Sequence, residues 1–160
     1  MAHNNTKQIS LNGRGFALVD ASDYEWLSAR KWCLLKSGYA QATWNSKRVY
    51  MHRIIMDAPK GTDVDHINGI YTDNRRANLR LCTRSQNKAN QKVQKNSMSG
   101  YKGVFKKNKT RWGAVISRGG KKELLGSFAS PEEAAAAYDI AAIRLFGEFA
   151  KPNFPKGNST

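Results

Sequence analysis

Asp65 and His66 are adjacent in Val64-Asp65-His66-Ile67-Asn68-Gly69, a stretch followed by Asn78-Leu79-Arg80 and then Asn87. His66 and Asn78 are 12 residues apart, and Asn78 and Asn87 are 9 apart. An imidazole titrates near neutrality and can take a proton from water. An Asp carboxylate and an Asn amide oxygen form a hard-oxygen pair, suited to Mg²⁺ or Mn²⁺ rather than zinc. Water and a substrate phosphate oxygen would complete such a set. The combination points to hydrolysis of a phosphodiester, with His66 as base and a metal on Asp65 and Asn87 stabilising the phosphorane and the leaving 3′ oxygen. In-line attack needs base and metal on opposite sides of the phosphorus, so the imidazole must lie beside the metal pair and not on it.

The placement is demanding. Neighbouring side chains on a strand face opposite ways. For Asp65 and His66 to converge, the chain must bend at the strand end, and Ile67-Asn68-Gly69 offers a bend. Asp65 and Asn87 must share an ion across 22 positions of sequence. The His66 ring must face solvent. Arg53, Arg75, Arg76, Arg80 and Arg84 surround the motif and are candidates for clamping phosphate. His52 reads as a structural residue and His3 lies in a polar tail. Cys33 and Cys82 form no CxxC pair, so with three histidines the chain has no recognised spacing for a structural zinc.

Charge names the partner. The 160 residues carry 27 Lys plus Arg against 12 Asp plus Glu, a net +15. Residues 1–95 have 16 basic and 7 acidic side chains, and residues 96–160 have 11 and 5. Both halves can therefore face a polyanion, where counterion release supplies non-specific affinity. No apolar run is long enough for a membrane helix. Met1 to Leu11 lacks an apolar signal core, so the expected compartment is the cytoplasm of a bacterial or phage-infected cell.

These elements must hold the motif. Gln8–Val19 alternates around Asn12-Gly13, a hairpin signal. Asp20–Lys31 has early acidic residues suited to a helix start. Trp32–Lys36 and Tyr39–Asn45 read as strands joined by Ser37-Gly38, and Val49–Met56 as a short helix. Gly61–Ile67, a turn-rich stretch, a short strand at Leu79–Cys82 and a helix from about Ser85 follow. Composition breaks at Asn87–Gly100, whose end, Asn96–Gly100, reads as a linker. Beyond it, Tyr101–Phe105, Arg111–Ser117 and Lys122–Phe128 are strand-like, with Gly119-Gly120 a hairpin turn. Ser130-Pro131-Glu132-Glu133 is a capping box with Pro at the first helical position. Ala134, Ala137, Tyr138, Ala141 and Leu145 continue at helical spacing, and Gly147 stops the helix.

The stretch MHRIIMDAPKGTDVDHINGIYTDNRRANLRLCTRSQNKAN, residues 51–90, resembles the HNH endonucleases, in the zinc-free branch of phage and intron homing enzymes whose last His is Asn. The resemblance covers about Ile9–Asn90. It implies a ββα-metal fold, Asp65 and Asn87 as metal ligands, His66 as general base, and Asn78 as the residue that shapes the loop through backbone hydrogen bonds. SGYKGVFKKNKTRWGAVI and LLGSFASPEEAAAAYDIAAIRLFGEFAKPNF resemble the AP2 DNA-binding domain. That likeness implies a three-stranded sheet laid in the DNA major groove. By position it offers Lys102, Lys106, Arg111, Trp112, Arg118 and Lys122 as DNA contacts. Phe105 and Leu124 stand where the plant domains carry Arg, so base preference does not transfer.

The fold class expected is therefore α+β: an N-terminal ββα-metal nuclease domain with flanking strands and helix (1–95), a linker (96–100), and an AP2-like three-stranded antiparallel sheet packed on one helix (101–156). The function expected is a metal-dependent, homing-type DNA endonuclease acting on double-stranded DNA as a monomer. The alternative is a DNA-binding regulator with an inactive nuclease half.

Overall fold

A computed structural model describes residues 5–94 and 96–155. His3 and the domain limits at Lys95 and Lys156 lie outside them. The chain forms two compact units, Met1–Thr83 and Arg84–Thr160.

The first unit opens with a hairpin of β1 (Thr6–Ser10) and β2 (Phe16–Asp20), antiparallel with Ile9 opposite Ala17. Its turn holds Asn12 and Gly13 at φ 52° and 70°, as the Asn-Gly signal requires. α1 (Ala21–Ser28) follows directly. β3 (Cys33–Leu34), β4 (Ala40–Trp44) and β5 (Lys47–Tyr50) make a three-stranded antiparallel sheet. The expected helix at Val49–Met56 is therefore too long. Val49 and Tyr50 extend a strand, and only Met51–Ile55 is helical (α2).

β6 (Asp63–His66) and β7 (Leu79–Cys82) form a separate antiparallel pair, with Asp65 opposite Arg80 and His66 opposite Leu79. The loop between them is braced by β2: Leu18 N donates to Thr72 O and Asn74 N to Leu18 O, both at 2.8 Å. Ile9, Leu11, Val19, Leu27, Trp32, Met51, Ile55, Val64 and Leu79 are buried together as the core. The indole N–H of Trp32, itself buried, donates to Leu27 O at 2.8 Å.

The second unit begins with α3 (Arg84–Asn90). The sequence places this helix with the preceding strands, but Ala89 packs in a core with Ile116, Tyr138, Ala142 and Phe146. Ser97 and Ser99 are no bare linker either, since Ser99 Oγ donates to Tyr101 O and Val104 O. β8 (Val104–Lys106), β9 (Trp112–Arg118) and β10 (Lys121–Phe128) form an antiparallel sheet in the order β10-β9-β8. α4 (Pro131–Phe146) lies against it through Ala134, Ala135, Tyr138, Ala141 and Ala142. Small side chains permit that close approach. At Gly103 a Cβ would fall 2.1 Å from the Tyr138 ring, so only glycine fits beneath it. Ser130 Oγ caps α4 by accepting from Glu133 N at 3.1 Å, and Glu133 returns a carboxylate oxygen to Ala129 N at 3.1 Å.

Candidate active site

Asp65 and His66 sit on the last two paired positions of β6. The ladder continues through His66, so the two side chains leave the strand on opposite faces. The bend expected to bring them together comes one step later: Gly69 N donates to His66 O at 2.8 Å, closing a turn over 67–68.

On one face the Asp65 carboxylate is 3% exposed. Arg80, its cross-strand partner, donates to Oδ2 from Nε at 2.9 Å and from Nη2 at 2.8 Å. On the other face His66 is 1% exposed. Its ring is surrounded by His52 (centroids 5.1 Å), Tyr71 (5.7 Å) and Tyr39 (5.9 Å), and Tyr39 stacks on Tyr71 at 4.4 Å. The expectation of a solvent-facing ring is not met. Tyr39 comes from the turn between β3 and β4 and Tyr71 from the loop between β6 and β7, and the two rings close over His66. Burial holds His66 below the usual histidine range, against the opposing pull of Asn74, Asp65 and Asp73, so the ring is held towards its neutral form. Burial drives His52 further, down to about 3.

Asn78 ties the β6–β7 loop. Its Oδ1 accepts from Asn68 N at 3.0 Å and its Nδ2 donates to Asp73 O at 2.8 Å. Asn78 also closes the loop neck, with Ile67 N donating to its carbonyl at 2.9 Å. Within the loop Asn68 Nδ2 donates to Asp73 Oδ2 at 2.8 Å.

The arginines around the motif have intramolecular partners. Arg75 makes a two-pronged pair with Asp73, and Arg76 one with Asp23 on α1. Arg53 gives its guanidinium to Thr62 O, Ala58 O and Pro59 O. These groups stiffen the frame, whereas the sequence offered them for phosphate. Arg84 starts α3 and is exposed. Asn87 lies on α3 in the second unit. The structure thus gathers Asp65, His66, Asn78 and Arg80 on β6, β7 and the turn before β7. It adds Asn74, Tyr39, Tyr71 and His52, to which the sequence gave no catalytic part. Asp73-Asn74 within DNRRANLR was the one visible hint of the first of these.

Among the described residues no group of three His, Cys, Asp or Glu side chains could hold a metal ion. The donors at hand are one buried carboxylate and amide oxygens, a hard set that fits an oxygen-preferring divalent cation completed by water and phosphate. Such a cation on Asp65 would share the carboxylate with Arg80.

An HNH endonuclease family model matches residues 49–89, a span that includes Asp65, His66, Asn78 and Asn87. An uncharacterized HNH endonuclease of Acanthamoeba polyphaga mimivirus is 35% identical over 154 residues, covering 91% of this chain and 80% of the viral one. The chain belongs to the HNH endonuclease family. It is an α+β nuclease of that family. The second part is similar to plant proteins. An AP2/ERF and B3 domain-containing protein of Oryza sativa subsp. japonica is 47% identical over 57 residues, 36% of this chain and 16% of its own length. An AP2-like ethylene-responsive transcription factor of Arabidopsis thaliana is 53% identical over 57 residues, 34% of this chain and 11% of its own.

On this AP2-like sheet Lys106, Arg111, Arg118 and Lys122 are exposed. Arg111 Nη2 donates to Ser127 O at 3.1 Å. Trp112 is half-buried, packs on the Val104–Ala114–Ala134 core and has Lys106 Nζ 5.6 Å above its ring. Lys102 differs from the rest. Its ammonium donates to Ala89 O at 2.6 Å and Gln91 O at 3.0 Å, at the C-terminal end of α3. A cation there complements the helix dipole, so Lys102 serves the fold of this unit. No helix among the described residues is long and apolar enough to cross a membrane.

Proposed function

We propose that the chain is a divalent-metal-dependent, homing-type endonuclease that cuts double-stranded DNA as a monomer, in the cytoplasm of a bacterial or phage-infected cell. The nuclease domain spans 1–95 and the AP2-like domain 101–156. The observation that carries this is the Asp65–His66 pair set on a strand whose following loop Asn78 locks in place. His66 takes a proton from water and Asn78 holds the loop. Asp65 and Asn87 would hold Mg²⁺ or Mn²⁺, which would supply positive charge to offset the charge that develops on the phosphate and the leaving oxygen. Lys106, Arg111, Trp112, Arg118 and Lys122 form the DNA face of the sheet, while Arg53, Arg75, Arg76 and Arg84 flank the cut site.

A buried base works only if the cover over its ring opens when DNA arrives. The same burial favours the second reading, a DNA-binding regulator whose nuclease half is inactive. A supercoiled plasmid incubated with the chain and Mg²⁺ separates the two. Nicked product that EDTA prevents supports cleavage. DNA retention in a gel with intact plasmid supports the regulator.

A further inference from the structure

His66 Nε2 lies 3.3 Å from Asn74 Oδ1. The two residues are 1% and 0% exposed, so no solvent competes for this contact. An amide carbonyl can only accept, and the contact is a hydrogen bond only when the imidazole carries its proton on Nε2. The lone pair then resides on Nδ1. Asn74 itself is held from the backbone by Leu18 O on β2. Its Nδ2 is buried with no hydrogen-bond partner among the described residues. A buried donor left this way is unfavourable, and what the side chain offers the ring at this position is its carbonyl.

We infer that Asn74 is a positioning residue that fixes the tautomer of His66 and thereby selects Nδ1 as the atom that receives the proton. The inference rests on His66 being the base. In the step, which follows opening of the cover over the ring, a water O–H bond breaks, an Nδ1–H bond forms, the hydroxide oxygen bonds to phosphorus, and the bond from phosphorus to the 3′ oxygen breaks, that oxygen taking up a proton from solvent. The resulting imidazolium keeps its Nε2–H on the Asn74 carbonyl, whose dipole faces the new charge. The logic is that of a histidine whose second nitrogen is fixed by an acceptor.

The test is a long-range ¹H–¹⁵N spectrum of the full chain with ¹⁵N-labelled histidine, the His66 signals being those lost in His66→Ala. The result expected is a protonated Nε2 and an unprotonated Nδ1. A protonated Nδ1 means that the amide presents Nδ2 to the ring, and it overturns the inference without recourse to any variant at Asn74. Asn74→Asp keeps an acceptor oxygen and should keep the Nε2–H pattern. Asn74→Leu should mix the tautomers and lower single-turnover kcat by about 10- to 100-fold, with DNA affinity within about two-fold. An unchanged spectrum and rate in Asn74→Leu also overturns it. Should His66→Ala cut DNA as the unaltered chain does, the base assignment fails, whereas an inert His66→Ala with a protonated Nδ1 in the unaltered chain defeats only the part given to Asn74.

Discussion

Arg80 stands directly across the β6–β7 ladder from Asp65 and donates two hydrogen bonds to the same carboxylate oxygen, Oδ2. The pair is nearly enclosed, with side-chain exposures of 13% and 5%. A buried carboxylate keeps its charge only when paired. Arg80 therefore holds the Asp65 carboxylate in place.

Removing Arg80 should cost more than removing Asp65. Arg80→Ala removes the guanidinium from beside a buried carboxylate and should destabilise the chain by about 2–4 kcal/mol, read from urea unfolding. Asp65→Asn should cost less and abolish cleavage. Arg80→Lys should not restore the stability, because an ammonium cannot reproduce the two donors of the guanidinium.

Asn78 serves the loop through two hydrogen bonds to backbone. Asn78→Ala leaves Asn68 N and Asp73 O to find other partners. The expected loss is about 2 kcal/mol at roughly 1 kcal/mol per bond. Cleavage should fall with it, and amide hydrogen exchange within 67–78 should quicken. Exchange unchanged in that segment would remove the role.

His52 sets a dependence on acidity. Its folded value is about 3, below the ordinary 6.5. Between those limits the unfolded chain binds the proton and the folded chain does not, so stability falls as pH drops from 6.5 towards 3. The loss is on the order of a few kcal/mol. Thermal unfolding followed between pH 6.5 and about 4.5, above the ordinary carboxylate range, should show Tm falling. His52→Phe should flatten that slope.

Salt dependence should separate the lysines proposed to contact DNA from Lys102. Lys106→Ala or Lys122→Ala should each weaken DNA binding and reduce the slope of log K against log salt by about 1. Lys102→Ala should leave the slope alone. It should instead lower stability by about 1–2 kcal/mol, since Lys102 anchors the end of α3.

Local chemistry made part of the fold legible. Asn12-Gly13 announces the first hairpin, and Ser130-Pro131-Glu132-Glu133 announces α4, because turn and cap signals act over a few residues. β5 was hidden, since Lys47-Arg48 show no strand pattern and Val49-Tyr50 read as the start of a helix, and only pairing with β4 makes Lys47–Tyr50 a strand. The Asn96–Gly100 segment has linker composition, yet Ser99 finds backbone acceptors that no local pattern reveals. At the site, residue types and spacing pointed to Asp65 and His66. They could not show what surrounds them. Arg76 meets Asp23 across 53 positions, and the Tyr39–Tyr71 cover over His66 joins loops 32 residues apart. Pairings at that range depend on the tertiary structure and leave no periodic trace.

The most direct measurement is single-turnover cleavage of a DNA duplex by His66→Ala beside the unaltered chain, with Mg²⁺ present and DNA retention measured on the same samples. Loss of cleavage by at least about 10²-fold with retention intact is the predicted result. Equal cleavage by the two chains would contradict His66 as the base, and with it the placing of the hydrolytic step at the end of β6.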